Sequence, residues 1–255
     1  MSKIYEIMGF RPDGLNMVKE FFAGLECEIE SVMAHHDIGL FKATEDGSLR
    51  NNGCEFISIP ATKPDLVDGF KNLHAEIVYH DKSEAFSART STHVHINCRP
   101  LDELQVKNLT LLYALFEEFF FAMVDKSRRS NIHCVPLSET FLSGNYRHDL
   151  QYQLQRWHKY TALNILPLGN LGTVEFRHLQ GTDDTNLLEE WLTTLENLWK
   201  LAQTVRLDAA SLGNEQILMD WFYVLFGHSK RIIALSPCFS SMIKNSLIDV
   251  KLSLV

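Results

Sequence analysis

Apolar and polar residues alternate strictly along five short segments of the chain. Residues 92–98, for example, place an apolar side chain at every second position. Because successive side chains of a strand point to opposite faces of a sheet, a period of two predicts strands with one face in the core. The five predicted strands cover residues 22–32, 54–60, 92–98, 162–166 and 173–179.

Three longer segments show the helical period instead. Leucine and aromatic residues recur every three or four positions along residues 102–126 and 184–205, and a shorter segment of this kind covers 214–225. Strands precede and separate the first two helices. This order predicts an α+β fold, in which helices pack on one face of a mainly antiparallel, curved sheet.

The other, concave face of this predicted sheet carries many charged and imidazole side chains. The first strand alone presents Glu26, Glu28 and Glu30 opposite its apolar residues. Carboxylates spaced about 7 Å apart on one strand repel each other, so this face requires either solvent or cations. If the strands pair in one sheet, the polar side chains converge on a surface formed by Glu26, Glu28, Glu55, His93, His95, Glu175 and Arg177.

Carboxylate and imidazole groups together are typical ligands of divalent metal ions. Carboxylate oxygens suit Mg²⁺, whereas an added imidazole suits Mn²⁺ or Zn²⁺ somewhat better. Two other interpretations of single motifs stay open: the glutamates of the first strand could form a solvated edge, and His93 and His95 could be a hydrogen-bonded or solvated pair. The combination of four polar strand faces favours a metal site.

Composition and charge limit the partners of the protein. The 255 residues carry a formal net charge of −8, which argues against a nucleic-acid surface because phosphate binding needs a basic face. The five cysteines form no CxxC pair, which is typical of a reducing compartment. Neither a secretory signal nor an apolar stretch of membrane-spanning length is visible. We therefore expect a cytoplasmic protein without nucleic-acid or membrane partners.

The charged motifs, in this order, resemble those of the amidoligase family. This family is a branch of the carboxylate–amine ligase superfamily, which contains glutamine synthetase and γ-glutamylcysteine synthetase. The resemblance covers residues 22–195, and GTVEFR and HVH are its most specific parts. Its landmarks are GLECE at 24–28, DGS at 46–48, CEFISIP at 54–60, HVHIN at 93–97, FE at 116–117, KYTALN at 159–164 and GTVEFR at 172–177.

The resemblance implies a catalytic domain similar to that of glutamine synthetase over residues 1–207. Residues 208–255 match no family motif, and we expect them to form a helical extension packed on the same domain. The resemblance implies that His95 and Arg177 bind the nucleotide phosphates and act in catalysis, together with a further arginine, Arg128 or its neighbour Arg129. The implied metal ligands are Glu26, Glu28, Asp46, Glu55, His93 and Glu175.

The activity implied by the resemblance is ATP-dependent amide bond formation with Mg²⁺ or Mn²⁺. A carboxylate of a small molecule or peptide is activated as an acyl phosphate, and an amine then displaces the phosphate. Glu30 is the candidate base for the amine, with Asp46 and Glu117 as alternatives. Two other functions stay open: a metal-dependent hydrolase that uses the same side chains, and a non-catalytic binding protein with a degenerate site.

Overall fold

The computed structural model describes residues 2–16, 18–140, 146 and 148–254. The described residues form one antiparallel sheet with the strand order β2-β3-β1-β4-β6-β5. Its strands are β1 (Ala23–Ile29), β2 (Phe41–Thr44), β3 (Cys54–Ser58), β4 (Thr92–Asn97), β5 (Leu163–Asn164) and β6 (Thr173–Phe176). The predicted α+β fold with a mainly antiparallel sheet is confirmed.

Several strands are shorter than the alternation predicts. The segment 22–32 leaves the sheet after Ile29, since Ser31 has a φ of 60° and cannot continue an extended strand. The segment 173–179 ends at Phe176, and 162–166 contributes only Leu163–Asn164. The four-residue strand β2 was missed, because so short a segment shows too little alternation to be recognised.

Helices cover the apolar face of the sheet. The three predicted helices are present as α3 (Glu103–Ala122), α5 (Thr185–Ala202) and α7 (Glu215–Phe226), whereas α2 (Lys63–Glu76) was missed. Helix α9 (Phe239–Ser253) lies in the segment 208–255, for which a helical extension was expected. Asp102 and Asp184 cap α3 and α5 by accepting backbone N–H groups of the first turn. The helices of the described residues are α1 (Ile4–Ile7), α2 (Lys63–Glu76), α3 (Glu103–Ala122), α4 (Leu150–Arg156), α5 (Thr185–Ala202), α6 (Ala209–Leu212), α7 (Glu215–Phe226), α8 (Lys230–Ile233) and α9 (Phe239–Ser253).

The core lies between the sheet and the two longest helices. Phe176 of β6, Phe120 of α3 and Trp191 of α5 are fully buried and contact one another, with ring centroids 5.9 to 6.4 Å apart. Such aromatic contacts add about 0.5–1.5 kcal/mol each to the burial of the rings. This core fixes the apolar face of the sheet, so the polar side chains of β1, β3, β4 and β6 must lie on the opposite, open face.

The C-terminal helices pack on α3. The Ser246 hydroxyl of α9 donates a hydrogen bond of 2.8 Å to the carbonyl oxygen of Leu115. At the start of the same helix, the Phe239 ring lies 6.3 Å from Phe116 and 6.1 Å from Phe119. None of the helices in the described part of the chain has the length and apolar character needed to cross a membrane.

Candidate metal centre

Strand β1 lies in the middle of the polar face and brings its glutamates beside ligands from both neighbours. Glu28 of β1 pairs directly with Glu55 of β3. On the other side, Glu26 pairs directly with His93 of β4. Cross-strand partners point to the same face with their Cβ atoms about 5 Å apart, so each pair can share one ion. The topology therefore divides the polar face into two parts.

Two clusters of three potential ligands result from this division. We call them the His93 cluster and the Glu55 cluster. In each, one donor atom per residue can be chosen so that all three lie within 4.8 Å of one another. All six metal ligands predicted from the sequence fall into these clusters. The His93 cluster consists of Glu26, His93 and Glu175, and the Glu55 cluster consists of Glu28, Asp46 and Glu55.

The His93 cluster is held in place by hydrogen bonds around its buried members. Nδ1 of His93 lies 3.3 Å from Oε2 of Glu26 and 3.4 Å from Oε1 of Glu175. Glu175 is only 4% exposed. Its carboxylate accepts a hydrogen bond of 2.8 Å from Nδ2 of Asn164 and is paired with Arg177. These contacts orient the Glu175 carboxylate toward His93.

His95 adds a second imidazole to Glu26. Its Nε2 lies 3.1 Å from Oε1 of Glu26, and its Nδ1 lies 3.0 Å from the Thr173 hydroxyl. Burial alone would raise the pKa of Glu26, but the hydrogen bonds from His93 and His95 outweigh burial and hold this pKa well below its usual range. Burial would lower the pKa of His95, yet the contact with Glu26 raises it. Glu26 is therefore ionised in the folded protein.

The Glu55 cluster is short of positive charge. Asp46 follows β2 in a turn, where its carboxylate accepts a hydrogen bond of 2.8 Å from the Ser48 backbone N–H. Burial, followed by repulsion from Glu26, Glu28 and Asp46, raises the pKa of Glu55 to about 7. Burial is the larger cause of this shift, and the repulsion shows that the carboxylates lie close enough to disfavour a further negative charge.

The donor atoms of both clusters fit divalent cations. The Glu55 cluster offers carboxylate oxygens only, which are the ligands that Mg²⁺ prefers. The His93 cluster adds one imidazole nitrogen, which is also suited to Mn²⁺. A cation would compensate the repulsion that raises the pKa of Glu55. The chemistry of these side chains is therefore compatible with one divalent ion in each cluster.

Metal binding at the Glu55 cluster should strengthen as the pH rises toward about 7. The cation binds the ionised carboxylate, so below the pKa of Glu55, which is about 7, it must displace a proton. We expect the apparent affinity of this cluster for Mg²⁺ to fall about tenfold per pH unit below that value. Calorimetric Mg²⁺ titrations at about pH 5.5, 6.5 and 8 measure this dependence. An affinity that stays constant over this range would contradict it.

Two cavities of different chemistry adjoin the clusters. The first has a volume of about 810 Å³ and is called the cationic cavity, because Arg89, Arg128, Lys159 and Arg177 line it next to Glu28. The second has a volume of about 220 Å³ and is called the apolar cavity. The apolar cavity reaches Glu26 and His95, and its apolar lining includes Leu15, Phe22, Leu25, Ile57, Pro60 and Leu171.

The structure distinguishes Arg128 from its neighbour. Arg128 is buried at the cationic cavity, where its Nε and Nη2 donate to the carbonyl oxygens of His178 and Arg177 at 2.9 and 2.6 Å. Arg129 instead forms an ion pair of 2.6 Å with Glu118, and its guanidinium lies over the Phe121 ring. Arg128 is therefore the member of the pair at the site, and it also holds the backbone that carries Arg177.

Two of the carboxylates considered as bases lie outside the clusters. Glu30 is buried beyond the end of β1, where Oε1 accepts a hydrogen bond of 2.9 Å from the Arg50 backbone N–H. Glu117 is buried in α3 and accepts the backbone N–H groups of Leu137 and Ser138 at 2.6 and 2.9 Å. These contacts give both side chains anchoring roles. Asp46 is the one of the three that lies within a cluster.

The sequence interpretation missed two polar residues that touch the metal centre. Asn164 donates to Glu175, and the two residues are paired across β5 and β6. Asn164 is the last residue of the KYTALN motif. The sequence indicated the motif but not the contact of Asn164 with Glu175. Ser91 lies just before β4, outside any alternating pattern, and its hydroxyl contacts both Glu28 and His93. Only the folded chain shows this contact.

Comparison with known families covers the later motifs of the chain. A family model described as "Putative amidoligase enzyme" matches residues 74–199, which include His93, His95, Arg128, Glu175 and Arg177. The crystal structure of a bifunctional glutathione synthetase from Pasteurella multocida is similar with a TM-score of 0.41 and 8% identity, over 97% of this chain and 49% of that chain. This chain thus spans about half the length of that synthetase. No curated protein matches the chain.

Proposed function

We propose that this chain, whose residues 74–199 belong to the amidoligase family, is an ATP-dependent carboxylate–amine ligase. One observation carries the proposal: two three-ligand clusters lie side by side on the open face of the sheet, between a cationic and an apolar cavity. The family match gives the class of reaction, the formation of an amide bond by a ligase. The nucleotide, the intermediate and the ligand roles below are proposals.

The proposed reaction has two steps. An oxygen of the substrate carboxylate attacks the γ-phosphorus of ATP, and ADP leaves with the electron pair of the broken P–O bond. The acyl phosphate formed in this way is then attacked at its carbonyl carbon by the amine, and phosphate leaves. Activation is required because an oxide ion is a far poorer leaving group than phosphate. The amine attacks through its nitrogen lone pair and loses one proton when the amide forms, and the departing phosphate can accept this proton.

The charges of the site suit the first step. The carboxylate and the triphosphate are both negative, so their encounter needs positive charge. Bound Mg²⁺ or Mn²⁺ would supply most of it, held by the His93 and Glu55 clusters. Arg177 lies at the cationic cavity and pairs with Glu175, and its Nε donates to the His133 carbonyl oxygen at 2.9 Å. This fixed guanidinium and His95 would stabilise the charge that develops on the transferred phosphoryl group.

The two cavities suggest where the substrates bind. A purine base is flat and largely apolar, so the apolar cavity beside Glu26 and His95 suits it. The cationic cavity suits anionic groups, and its volume of about 810 Å³ leaves room for a peptide as well as a small-molecule substrate.

All five cysteines are free thiols, which agrees with a cytoplasmic location for this activity.

Thermal unfolding with and without ligands tests the proposed function. We expect Mg²⁺ or Mn²⁺ together with a non-hydrolysable ATP analogue to stabilise the protein by about 2.7 kcal/mol at 100 times the dissociation constant. Arg177→Gln should remove most of the nucleotide contribution. Arg129→Gln is the matched control, since its partners Glu118 and Phe121 lie away from the cavities. Stabilisation by the metal alone would favour a hydrolase, and no stabilisation would contradict nucleotide binding.

A further inference from the structure

The hydroxyl group of Ser91 lies between the two metal clusters. Its Oγ is 2.6 Å from Oε2 of Glu28, a member of the Glu55 cluster. The same oxygen is 2.7 Å from Nε2 of His93, a member of the other cluster. Ser91 is only 3% exposed, so water does not compete freely for these contacts. One side chain therefore joins a ligand of each cluster.

The two ring nitrogens of His93 face different partners. A hydroxyl group has one proton and two lone pairs, so the Ser91 oxygen can contact Glu28 and Nε2 of His93 at the same time. Nδ1, on the other edge of the ring, lies 3.3 and 3.4 Å from the carboxylates of Glu26 and Glu175. The contact at Nε2 therefore holds the ring with Nδ1 toward the other members of its cluster.

We propose that Ser91 is a positioning residue that holds the ring of His93 in place and couples the two metal clusters. This inference rests on the proposed function, because it assumes that the clusters bind divalent ions. Histidine ligands of metals commonly donate their second N–H to an outer partner, which orients the ring and raises its basicity. Here that outer partner also holds a ligand of the neighbouring cluster, so the orientations of Glu28 and of His93 depend on one hydroxyl group.

The backbone around Ser91 is arranged to hold this hydroxyl. Its carbonyl oxygen accepts a hydrogen bond of 2.9 Å from the Glu28 N–H, so Ser91 is tied to Glu28 through backbone and side chain. The preceding residue, Thr90, packs directly on Gly181, where a Cβ would lie 2.2 Å from the Thr90 hydroxyl. Gly181 also donates its N–H to the Thr90 carbonyl oxygen at 3.0 Å. Ser91 therefore has little freedom to move away from the clusters.

Removal of the hydroxyl should release His93. In Ser91→Ala, Nε2 loses its contact with the hydroxyl oxygen, and the ring is no longer held with Nδ1 toward Glu26 and Glu175. A metal ion must then order the ring when it binds. Glu28 also loses the donor that holds one of its oxygens, so the effect extends to the Glu55 cluster.

A Mn²⁺ titration followed by electron paramagnetic resonance tests the coupling without any substrate. We expect two sites in the natural protein and a loss of affinity of about 10–100-fold at both sites in Ser91→Ala. Thr92→Val is the matched control, because it removes a buried hydroxyl from the neighbouring position on the core side of β4 and should leave both affinities unchanged. Affinities of Ser91→Ala within about twofold of the natural protein would overturn the proposal.

Ser91→Thr keeps a hydroxyl group at the same position and tests whether the hydroxyl itself is required. We expect Ser91→Thr to bind Mn²⁺ at both sites within about twofold of the natural protein. A loss in Ser91→Thr as large as that in Ser91→Ala would overturn the positioning role of the hydroxyl. If the natural protein itself binds no Mn²⁺, the metal part of the proposed function fails instead.

Discussion

Replacement of Glu55 with glutamine should abolish metal-dependent ADP formation and, at the same time, stabilise the metal-free protein. The amide removes one of three charged ligands of the Glu55 cluster, and we expect the rate to fall about 1,000-fold, equivalent to about 4 kcal/mol of transition-state stabilisation. The stability effect follows from the pKa of Glu55, which burial and its carboxylate neighbours raise to about 7. Above this pH the folded protein must hold an unfavourable charge, and glutamine removes it.

Stability measured at about pH 8 without metal should rise by about 1 kcal/mol in Glu55→Gln, a value discounted for the partial exposure of the side chain. Glu26→Gln is the contrasting variant. It should lose activity to a similar extent but lower the stability, since His93 and His95 hold the pKa of Glu26 below its usual range and favour its ionised form. Chemical unfolding and an ADP-release assay measure both effects. If the two variants change stability in the same direction, the charge distribution described above is wrong.

The alternating pattern of side chains predicts one part of this charge distribution and not the other. A period of two assigns each side chain to a face, so the open-face position of Glu26, Glu28, His93 and Glu175 followed from the sequence. The pattern does not give the order of strands. Because β1 lies between β3 and β4, its two glutamates face different partners, and this separates one polar surface into two clusters.

The roles of residues outside helices and strands could be predicted only from the family resemblance, or not at all. Asp46 lies in a turn, where side chains follow no regular period, so only the DGS motif indicated it as a metal ligand. The choice between Arg128 and Arg129 depends on the short 3₁₀ turn Lys126–Ser130, in which neighbouring side chains point in different directions. Ser91 precedes a strand and contacts His93 two residues further along the chain. Its contact with Glu28 arises only because β1 pairs with β4.

The missed helix α2 has a related explanation. Helix α2 contains Pro64 and Gly69, both of which weaken a helical prediction from sequence. Pro64 is nevertheless compatible with the first turn, where its missing N–H has no intrahelical acceptor, and Thr62 caps the helix by accepting the Asp65 N–H. Tertiary packing decides such cases, because the buried face of α2 contributes to the same core as the sheet.

Replacement of Glu117 with leucine should destabilise the protein strongly. Glu117 is buried in α3, where it accepts hydrogen bonds from the Tyr113 hydroxyl at 2.8 Å and from the backbone N–H groups of Leu137 and Ser138 at 2.6 and 2.9 Å. Leucine leaves the two backbone donors without an acceptor in the interior, whereas the Tyr113 hydroxyl keeps its contact with Nε2 of His178 at 2.8 Å. Each donor without an acceptor costs about 1–3 kcal/mol, so we expect a loss of about 3–4 kcal/mol in the free energy of unfolding.

Two companion variants separate this anchoring role from a catalytic one. Glu118→Ala, at the next position of α3, removes only the exposed ion pair with Arg129 and should change stability by less than about 1 kcal/mol. Glu117→Gln keeps an oxygen acceptor and should retain most of the stability and the rate of ADP formation. If Glu117→Gln were fully folded but lost activity by about 100-fold or more, Glu117 would be a general base and not an anchor of residues 137–138.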